Sequence, residues 1–335
     1  MTDLPADQHR DSQMIARLNA IAAQVFTRHG IDFAGARRAG GWTNATWLAG
    51  GLALRLATQP GNENIRREAR LAALLPPEVG YPPVLETGVT DGYEWSLSKE
   101  IPGRNLGELW PELDWEQRTA ALRELWRKIR AVHSVHLAAA RNLAREQPWF
   151  NAPGPQEAKA NLNRLVDLGL FSRRQADRLE EMLKPFWRVR PSATCVLNHG
   201  DLTIENALWH EGRVVALLDF EFAVIAPLEL DLNELVKMAF APSEWPDPLP
   251  DPDGAGLQSL RAAVAELALP LLDHPGGCHL LLGYAILLEL WLLETWLAHP
   301  EGEGPLETWQ PYRMLLSLTD GQGGYLAPLL GGWAP

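Results

Sequence analysis

The residues with the clearest chemical potential lie in one segment, which reads NHGDLTIENALWHEGRVVALLDFEFAVIAPLELD. A His-Gly pair precedes Asp201, Asn206 follows five residues later, and Asp219 ends a run of four apolar residues. One carboxylate can accept the proton of an attacking hydroxyl, while an amide oxygen and a second carboxylate can hold Mg²⁺ against phosphates. This set of groups is what phosphoryl transfer requires.

The chain between Asn206 and Asp219 is the length of a hairpin. Residues 207–209 and 214–218 have β character, and the sequence His-Glu-Gly between them is typical of a turn. Such a hairpin places Asn206 and Asp219 at the same end of two neighbouring strands. The spacing therefore predicts that both oxygen ligands meet at one site.

These motifs resemble those of a known family. The pattern H-G-D-x-x-x-x-N, followed by an apolar strand and D-F-E, is similar to the kinase pattern H-R-D-x-x-x-x-N and D-F-G. Glycine after the histidine is typical of the aminoglycoside phosphotransferase and choline kinase group of small-molecule kinases. The resemblance implies that Asp201 is the catalytic base and that Asn206 and Asp219 are Mg²⁺ ligands. It also implies that His199 braces the loop and that Asp231 supports it.

The first hundred residues contain a second, independent set of kinase-like features. A short glycine-containing stretch lies between two β-like runs and includes Gly41, Thr43 and Asn44. The backbone of this stretch can approach phosphate closely, or it can form an ordinary turn. Arg55 lies in the next predicted strand, and Glu68 follows thirteen residues later on a predicted helix. By resemblance, Arg55 and Glu68 correspond to the kinase strand lysine and helix glutamate, with arginine in place of lysine.

The last strand of this part ends in Lys99, Glu100 and Ile101. In kinase-like proteins the corresponding stretch connects the two lobes, and its backbone binds the adenine edge. The resemblance thus implies that these three residues bind the nucleotide, ATP or GTP.

The order of predicted elements indicates an α+β protein with a two-lobed protein-kinase-like fold. Residues 1–100 form a small N-terminal lobe with an opening helix from Ser12 to His29, an antiparallel sheet and an inserted helix from Asn64 to Leu75. Residues 101–335 form a larger, mainly helical C-terminal lobe with the catalytic loop and the acceptor site. We expect the nucleotide to bind on the N-terminal lobe.

The charge of the chain is distributed unevenly. The net charge is −12, and residues 201–335 hold 20 acidic residues against 4 basic ones. Such a surface repels nucleic acid and attracts cations, although it could also serve only for solubility. We expect an acceptor that is a small cationic alcohol, first of all one similar to an aminoglycoside.

Several of the carboxylates and tryptophans in this acidic part could face a cationic acceptor. The carboxylate candidates are Glu221, Glu229, Glu234, Glu289 and Glu294. Trp291 and Trp296 could add cation–π contacts, or simply pack in the core. Macrolide, choline, homoserine, sugar and fructosamine-type acceptors stay open, as does a role in antibiotic resistance or in metabolism.

The apolar stretch from Leu280 to Leu297 is long enough to span a membrane. Glu289 and Glu294 lie within it, and a carboxylate is costly in hydrocarbon, so the sequence favours a buried helix. Two cysteines and an N-terminus without a long apolar core indicate a reducing, cytoplasmic location with no membrane partner.

Other functions compete with the one implied by these motifs. A nucleotide-binding scaffold without turnover would explain the altered glycine stretch and Arg55. A protein kinase would need an A-P-E segment and an activation loop, and neither is evident.

His133 and His136 end a predicted helix, and this placement favours a structural role for both. The oligomeric state stays open.

Overall fold

A computed structural model gives the fold of the protein. It describes residues 4–39, 44–150, 154–241, 251, 253–298, 304–319 and 323–330, with side chains from residue 13 onward.

An antiparallel sheet forms the body of the N-terminal part. Its strands are β1 (Arg37–Ala39), β2 (Asn44–Ala49), β3 (Leu52–Ala57), β4 (Val84–Thr90) and β5 (Tyr93–Lys99). They lie in the order β1-β2-β3-β5-β4. Gly50 and Gly51 have φ angles of +57° and +73°, which glycine adopts without steric cost, and they make the tight turn between β2 and β3. The strands predicted in this region are confirmed.

The opening helix α1 (Leu4–Arg28) covers one face of the sheet and begins earlier than the predicted Ser12. Its apolar stripe packs on side chains of β2, β3 and β5 to form a small core. The buried members from the helix are Leu18, Ile21, Val25 and Phe26, and those from the sheet include Leu54, Leu56 and Trp95. Burial of each large apolar side chain contributes about 2 kcal/mol to this packing.

The inserted helix α2 (Asn64–Ala72) lies between β3 and β4. The prediction that it continues to Leu75 is wrong, because the helix ends at Ala72. Two tight turns follow, in which the amides of Leu74 and Leu75 donate three residues back. The following Pro-Pro pair prevents a further helical turn.

The C-terminal part is mainly helical. Its longer helices are α4 (Trp115–His133), α6 (Pro155–Asp167), α7 (Arg173–Val189), α8 (Glu229–Phe240), α9 (Ala255–Leu272), α10 (Gly277–Ala298) and α11 (Gln310–Leu318), with short helices α3 (Leu106–Leu109) and α5 (Leu137–Ala140). Asp114 caps α4 by accepting from the amide of Gln117 at 2.8 Å, and Ser172 caps α7 in the same way. Helix α4 ends at His133 rather than at the predicted His136.

Short strands carry the segment that holds the chemical motifs. They are β6 (Arg104–Asn105), β7 (Cys195–Asn198), β8 (Ala207–His210), β9 (Arg213–Leu217) and β10 (Val224–Pro227). β8 and β9 form the predicted hairpin, and β6 pairs with β8. β7 pairs antiparallel with β10, so the chain returns to the catalytic loop after Asp219.

Within the described residues, two helices, α9 and α10, are long and apolar enough to cross a membrane by length and composition. In the structure α10 is packed against α7, α8 and α11, and 67% of its apolar window is buried. The corresponding window of α9 is 28% buried. The prediction of a buried helix over residues 280–297 is therefore confirmed.

Lys128 on α4 ties the two parts of the chain together. Its ammonium donates to the carbonyls of Glu78 at 2.9 Å, Val79 at 3.3 Å and Val215 at 3.1 Å. Gly80 follows with φ +73°, and a Cβ there would lie 2.0 Å from the Val215 oxygen. The segment between α2 and β4 is thus held against β9 in the C-terminal part.

Candidate active site

The catalytic loop begins directly after β7. Gly200 has φ +85°, and a Cβ at this position would lie 2.2 Å from the carbonyl oxygen of Phe222. Glycine is required here both by the left-handed conformation and by this close approach. The loop is therefore pressed against the segment that follows Asp219.

Asp231, at the start of α8, is the buried acceptor that holds this loop. One of its oxygens accepts from the amide of His199 at 2.9 Å, and the other accepts from the amide of Gly200 at 3.0 Å. The imidazole of His133 lies 3.2 Å from the first oxygen. This geometry agrees with the supporting role that the resemblance implies for Asp231.

His199 lies between the loop and the hairpin. Its Nε2 donates to the carbonyl of Leu218 at 2.8 Å, and its Nδ1 accepts from the amide of Asp201 at 3.3 Å. The ring lies 4.5 Å from that of Phe220. His199 thus joins Asp201 to the strand that leads to Asp219.

The hairpin brings Asn206 to Asp201. The amide of Leu218 donates to the carbonyl of Asn206 at 2.8 Å, which closes the hairpin next to Asp219. The Nδ2 group of Asn206 donates to the backbone carbonyl of Asp201 at 2.9 Å and to its carboxylate at 3.0 Å. Since Nδ2 makes both of these hydrogen bonds to Asp201, the amide oxygen Oδ1 of Asn206 is left to bind another group.

Asp219 has a left-handed backbone, with φ 63° and ψ 62°. Its carboxylate accepts from Nη2 of Arg55 at 2.8 Å, while Nη1 of Arg55 donates to Glu68 at 2.7 Å. The two arms of one guanidinium therefore bridge the N-terminal sheet, α2 and the segment after β9. A lysine ammonium lacks the fork that spans both carboxylates.

Burial and neighbouring charges change the acidity of these groups. Burial raises the pKa of Asp201, while His199 and the hydrogen bond from Asn206 act against this shift. Burial alone would lower the pKa of Arg55, but the carboxylates of Glu68 and Asp219 outweigh it and raise that pKa. Arg55 is therefore a fixed positive charge beside Asp219.

The oxygen ligands present fit a magnesium ion. An amide oxygen and a carboxylate are hard ligands of the type that Mg²⁺ prefers, and nucleotide phosphates and water would complete six positions. Among the residues that the structure describes, no group of three or more His, Cys, Asp or Glu side chains is arranged to hold a metal ion.

The stretch that the sequence predicts to bind phosphate is described only from Asn44 onward. Asn44 begins β2, and its Nδ2 donates to the buried carboxylate of Glu221 at 3.3 Å. Gly41 and Thr43 lie outside the described residues. Asn44 therefore contacts the segment after Asp219, which the sequence did not indicate.

At the predicted connection between the lobes, two of the three backbone amides are already bonded. The amide of Lys99 donates to the carbonyl of Pro83 at 3.1 Å, and that of Glu100 donates to the carbonyl of Gly51 at 2.9 Å. Contacts to an adenine edge are left to the backbone carbonyls and to the N–H group of Ile101.

Three of the five carboxylates offered for a cationic acceptor are paired inside the protein. Glu221 accepts from Asn44, Glu229 lies 2.7 Å from the imidazole of His274, and Glu289 lies 2.5 Å from the ammonium of Lys237. The expectation that these three face a ligand is therefore not supported. Glu234 and Glu294 remain as candidates.

A cleft of about 340 Å³ lies between α6 and α10 and contains Glu294. Phe150, Asn161 and Trp291 also line it. Asn161 donates to one oxygen of Glu294 at 2.8 Å, while the other oxygen is buried without a hydrogen-bond partner among the described residues. Burial raises the pKa of Glu294.

The cleft is connected to the catalytic segment by aromatic packing. The ring of Trp149 lies 4.8 Å from that of Trp291 and 5.8 Å from that of Phe222, three residues after Asp219. The other candidate tryptophan, Trp296, instead packs against Trp309 at 5.9 Å.

Sequence reasoning missed several residues that the structure places at the site. Tyr81 donates to Glu68, His133 contacts Asp231, and Arg67 donates to the carbonyls of Leu143 and Glu221. None belongs to a motif, since each contacts a residue that is distant in the sequence. Of these three residues, only His133 was indicated by the sequence, through its place at the end of a predicted helix.

Comparison with known proteins gives an independent result. The family model described as the phosphotransferase enzyme family matches residues 35–267 of the chain. No curated protein sequence matches it significantly.

Solved structures share the fold. Aminoglycoside 2'-phosphotransferase-IIIa in its GDP complex has a TM-score of 0.63 at 17% identity, over 91% of this chain and 98% of that chain. A thermostable mutant of aminoglycoside phosphotransferase APH(4)-Ia in its ternary complex with AMP-PNP and hygromycin B has a TM-score of 0.60 at 14% identity. The match covers 88% of this chain and 96% of that chain. Macrolide 2'-phosphotransferase MphH from Brachybacterium faecium has a TM-score of 0.53 at 20% identity, over 84% and 93%. The predicted two-lobed protein-kinase-like fold is confirmed.

Proposed function

We propose that this chain, which belongs to the phosphotransferase enzyme family, transfers the γ-phosphate of ATP to a hydroxyl group of a cationic small molecule. The observation that carries the proposal is the joint geometry of Asp201, Asn206, Asp219 and Arg55. Asn206 donates to Asp201, Arg55 donates to Asp219, and the hydrogen bond from the amide of Leu218 to the carbonyl of Asn206 joins the two pairs across the hairpin. Phosphoryl transfer needs little else from a protein besides positioning and electrostatic stabilisation.

Asp201 is the proposed catalytic base. Its carboxylate accepts the proton of the acceptor hydroxyl as the new oxygen–phosphorus bond forms, and the bond from the γ-phosphorus to the bridging oxygen breaks to release ADP. Asn206 orients this carboxylate through its hydrogen bond of 3.0 Å. His199 and Asp231 keep the loop in place.

The amide oxygen of Asn206 and the carboxylate of Asp219 are the proposed Mg²⁺ ligands. When bound, Mg²⁺ neutralises phosphate oxygens and holds the terminal phosphate in line. Arg55, held by Glu68, offers a guanidinium to the phosphates. The backbone of Gly41, Thr43 and Asn44 is proposed to cover them.

The nucleotide base is proposed to lie against Lys99, Glu100 and Ile101, at the boundary between an N-terminal lobe of residues 1–100 and a C-terminal lobe of residues 101–335. Since the amides of Lys99 and Glu100 are already bonded, we expect Ile101 to supply the donor. We keep ATP as the first donor to test, with GTP second, because solved relatives are complexes of AMP-PNP, ADP and GDP.

The acceptor is proposed to enter the cleft that holds Glu294 and Trp291. A buried carboxylate oxygen beside an aromatic face suits an ammonium group, through ionic and cation–π contacts. Solved relatives with hygromycin B and kanamycin, and a macrolide phosphotransferase, support antibiotics as the first acceptors to test. We further propose a cytoplasmic protein without nucleic-acid or membrane partners.

Replacement of Asp201 by alanine tests the function. We expect Mg²⁺-dependent ADP release with an accepted alcohol to fall by about 10² to 10⁴-fold, while the fold and Mg·ADP binding remain. Asp177→Ala, on the exposed face of α7, is the control and should keep full activity. An Asp201→Ala protein with wild-type activity would contradict the proposal.

A panel of acceptors defines the substrate class. Aminoglycosides, macrolides, choline, homoserine and sugars should be compared at equal concentration by ADP release, with Glu294→Gln in parallel. We expect Glu294→Gln to raise KM for a cationic acceptor and to leave KM for ATP unchanged. Equal KM values in the two proteins would exclude this cleft as the acceptor site.

A further inference from the structure

Glu68 is the centre of a hydrogen-bond cluster that contains one residue outside the recognised motifs. Its side chain is 1% exposed. One of its oxygens accepts from Arg55 at 2.7 Å, from the amide of Phe220 at 2.9 Å and from the hydroxyl of Tyr81 at 2.9 Å. Arg55 and Phe220 adjoin the proposed metal ligand Asp219, whereas Tyr81 belongs to neither strand, helix nor motif.

Tyr81 lies in the segment between α2 and β4 that Lys128 and Gly80 hold against β9. Its ring contacts that of Phe220 edge to face, with centroids 5.7 Å apart. Burial raises the pKa of Tyr81, and the nearby carboxylate of Glu68 raises it further. The hydroxyl therefore stays protonated and acts as a donor.

The arrangement at Glu68 is one-sided. All three donors bind Oε1, while Oε2 is buried without a hydrogen-bond partner among the described residues. The last torsion of a glutamate side chain has broad, roughly two-fold wells, so the donors decide its orientation. Loss of one donor leaves the carboxylate freer to rotate away from Arg55.

Rotation of Glu68 would change how Arg55 is shared. Nη2 of Arg55 already lies 2.8 Å from the carboxylate of Asp219, and the Asp219 side chain is 30% exposed. If Glu68 holds Arg55 less firmly, the guanidinium pairs more strongly with Asp219. It then competes with a cation that needs the same carboxylate.

We propose that Tyr81 is a positioning residue for phosphoryl transfer, whose hydroxyl fixes Glu68 so that Arg55 stays shared between Glu68 and Asp219. The inference rests on the proposed function, because it concerns the same nucleotide and metal site. It assigns Tyr81 an effect on Mg²⁺ and nucleotide binding and none on the acceptor.

Tyr81→Phe tests this inference because it removes only the hydroxyl. Tyr93→Phe is the matched control, since Tyr93 is a buried tyrosine of β5 that contacts none of these groups in the described residues. We expect Tyr81→Phe to raise the Mg²⁺ concentration for half-maximal ADP release and KM for ATP by about tenfold. KM for the acceptor should stay within about twofold of the wild-type value.

The two possible failures are distinguishable. A wild-type chain that releases ADP, with Tyr81→Phe matching Tyr93→Phe in its Mg²⁺ and ATP constants, overturns the assignment of Tyr81 alone. A wild-type chain that neither releases ADP nor binds Mg·ADP overturns the proposed function and this inference together.

A double-mutant cycle tests whether Tyr81 acts through Glu68. Binding of Mg·ADP should be measured by calorimetry for Tyr81→Phe, Glu68→Gln and the double variant, with folding checked by circular dichroism. We expect the roughly tenfold effect of Tyr81→Phe to vanish in the Glu68→Gln background. An undiminished effect there would mean that Tyr81 acts by another route and would overturn the inference.

Discussion

At the scale of single residues, Arg55 is the clearest departure from the kinase pattern. Its fork reaches Glu68 and Asp219 at the same time, at 2.7 and 2.8 Å. A lysine keeps the charge but concentrates it on one ammonium group at the end of a flexible stem. The arginine therefore connects the sheet directly to Asp219, the proposed metal ligand.

We expect Arg55→Lys to weaken Mg·ADP binding by about tenfold, and Arg55→Ala by more than that, because charge-assisted hydrogen bonds are lost in both. Calorimetric titration measures both values. Arg174→Lys, on the exposed face of α7, is a suitable control. An Arg55→Lys protein with wild-type affinity would show that the fork is dispensable.

Glu234 is a second residue whose surroundings have a measurable consequence. Burial raises its pKa to about 7, and Asp201, Glu289 and Asp231 add to the shift, while Lys237 opposes it. Between the ordinary glutamate pKa of 4.5 and about 7, the folded chain holds a proton that the unfolded chain releases. Folding stability at this group is therefore lost as pH rises through about 7.

Glu234→Gln removes this penalty, so its Tm should exceed that of the wild type at about pH 8, and the difference should shrink toward pH 4. Glu307→Gln, at an exposed position, is the control. Thermal unfolding followed by circular dichroism across this pH range gives the comparison. A Tm difference that does not change with pH would contradict the assignment.

At the scale of elements, the catalytic loop depends on its fit against the segment after Asp219. Gly200 and Gly212 both have positive φ, +85° and +80°, but only Gly200 has a neighbouring backbone within reach of a Cβ. Substitution at Gly212 therefore measures the free-energy cost of the left-handed backbone alone, and substitution at Gly200 adds the cost of the contact with Phe222.

Gly212→Ala should cost about 1 to 2 kcal/mol of folding stability, which is the left-handed penalty alone. Gly200→Ala should cost more and should also reduce turnover, because the loop must move away from Phe222. Urea unfolding and ADP release measure the two effects. Equal losses in both variants would mean that the loop tolerates displacement.

Most of these elements could be predicted from the sequence, because their signals are local. Turn residues between apolar runs identify the β8–β9 hairpin, and that hairpin alone brings Asn206 next to the strand end at Asp219. Arg55 and Glu68 are 13 positions apart in the sequence, which is enough for the end of a strand, a connection and the start of a helix. The end of α2 could not be predicted in the same way, since a Pro-Pro pair stops a helix without fixing its last turn.

The contacts that could not be predicted join residues far apart in the chain. Asn44 and Glu221 are separated by 177 positions, and His133 and Asp231 by 98. Glu289 shows another limit, because α10 is apolar on all sides and its sequence does not indicate which face meets Lys237. Only the packing of α8 against α10 decides that this carboxylate is internal.

At the scale of the whole molecule, the net charge of −12 is concentrated after residue 200. A cationic acceptor is attracted to such a surface over distances comparable to the screening length of the solution. We expect kcat/KM for a cationic acceptor to fall between about 0.01 and 0.5 M KCl, and for an uncharged acceptor to change little. Equal salt dependence for both acceptors would contradict electrostatic steering.

The ammonium group of Lys128 bonds carbonyls of both parts of the chain, Glu78 and Val79 on one side and Val215 on the other. Because residues 78–80 are held against β9, we expect this border of the sheet to move least relative to the C-terminal part and the opposite border, along β1 and β2, to move most. Hydrogen exchange should accordingly be slow at Val79 and Gly80 and faster along β1.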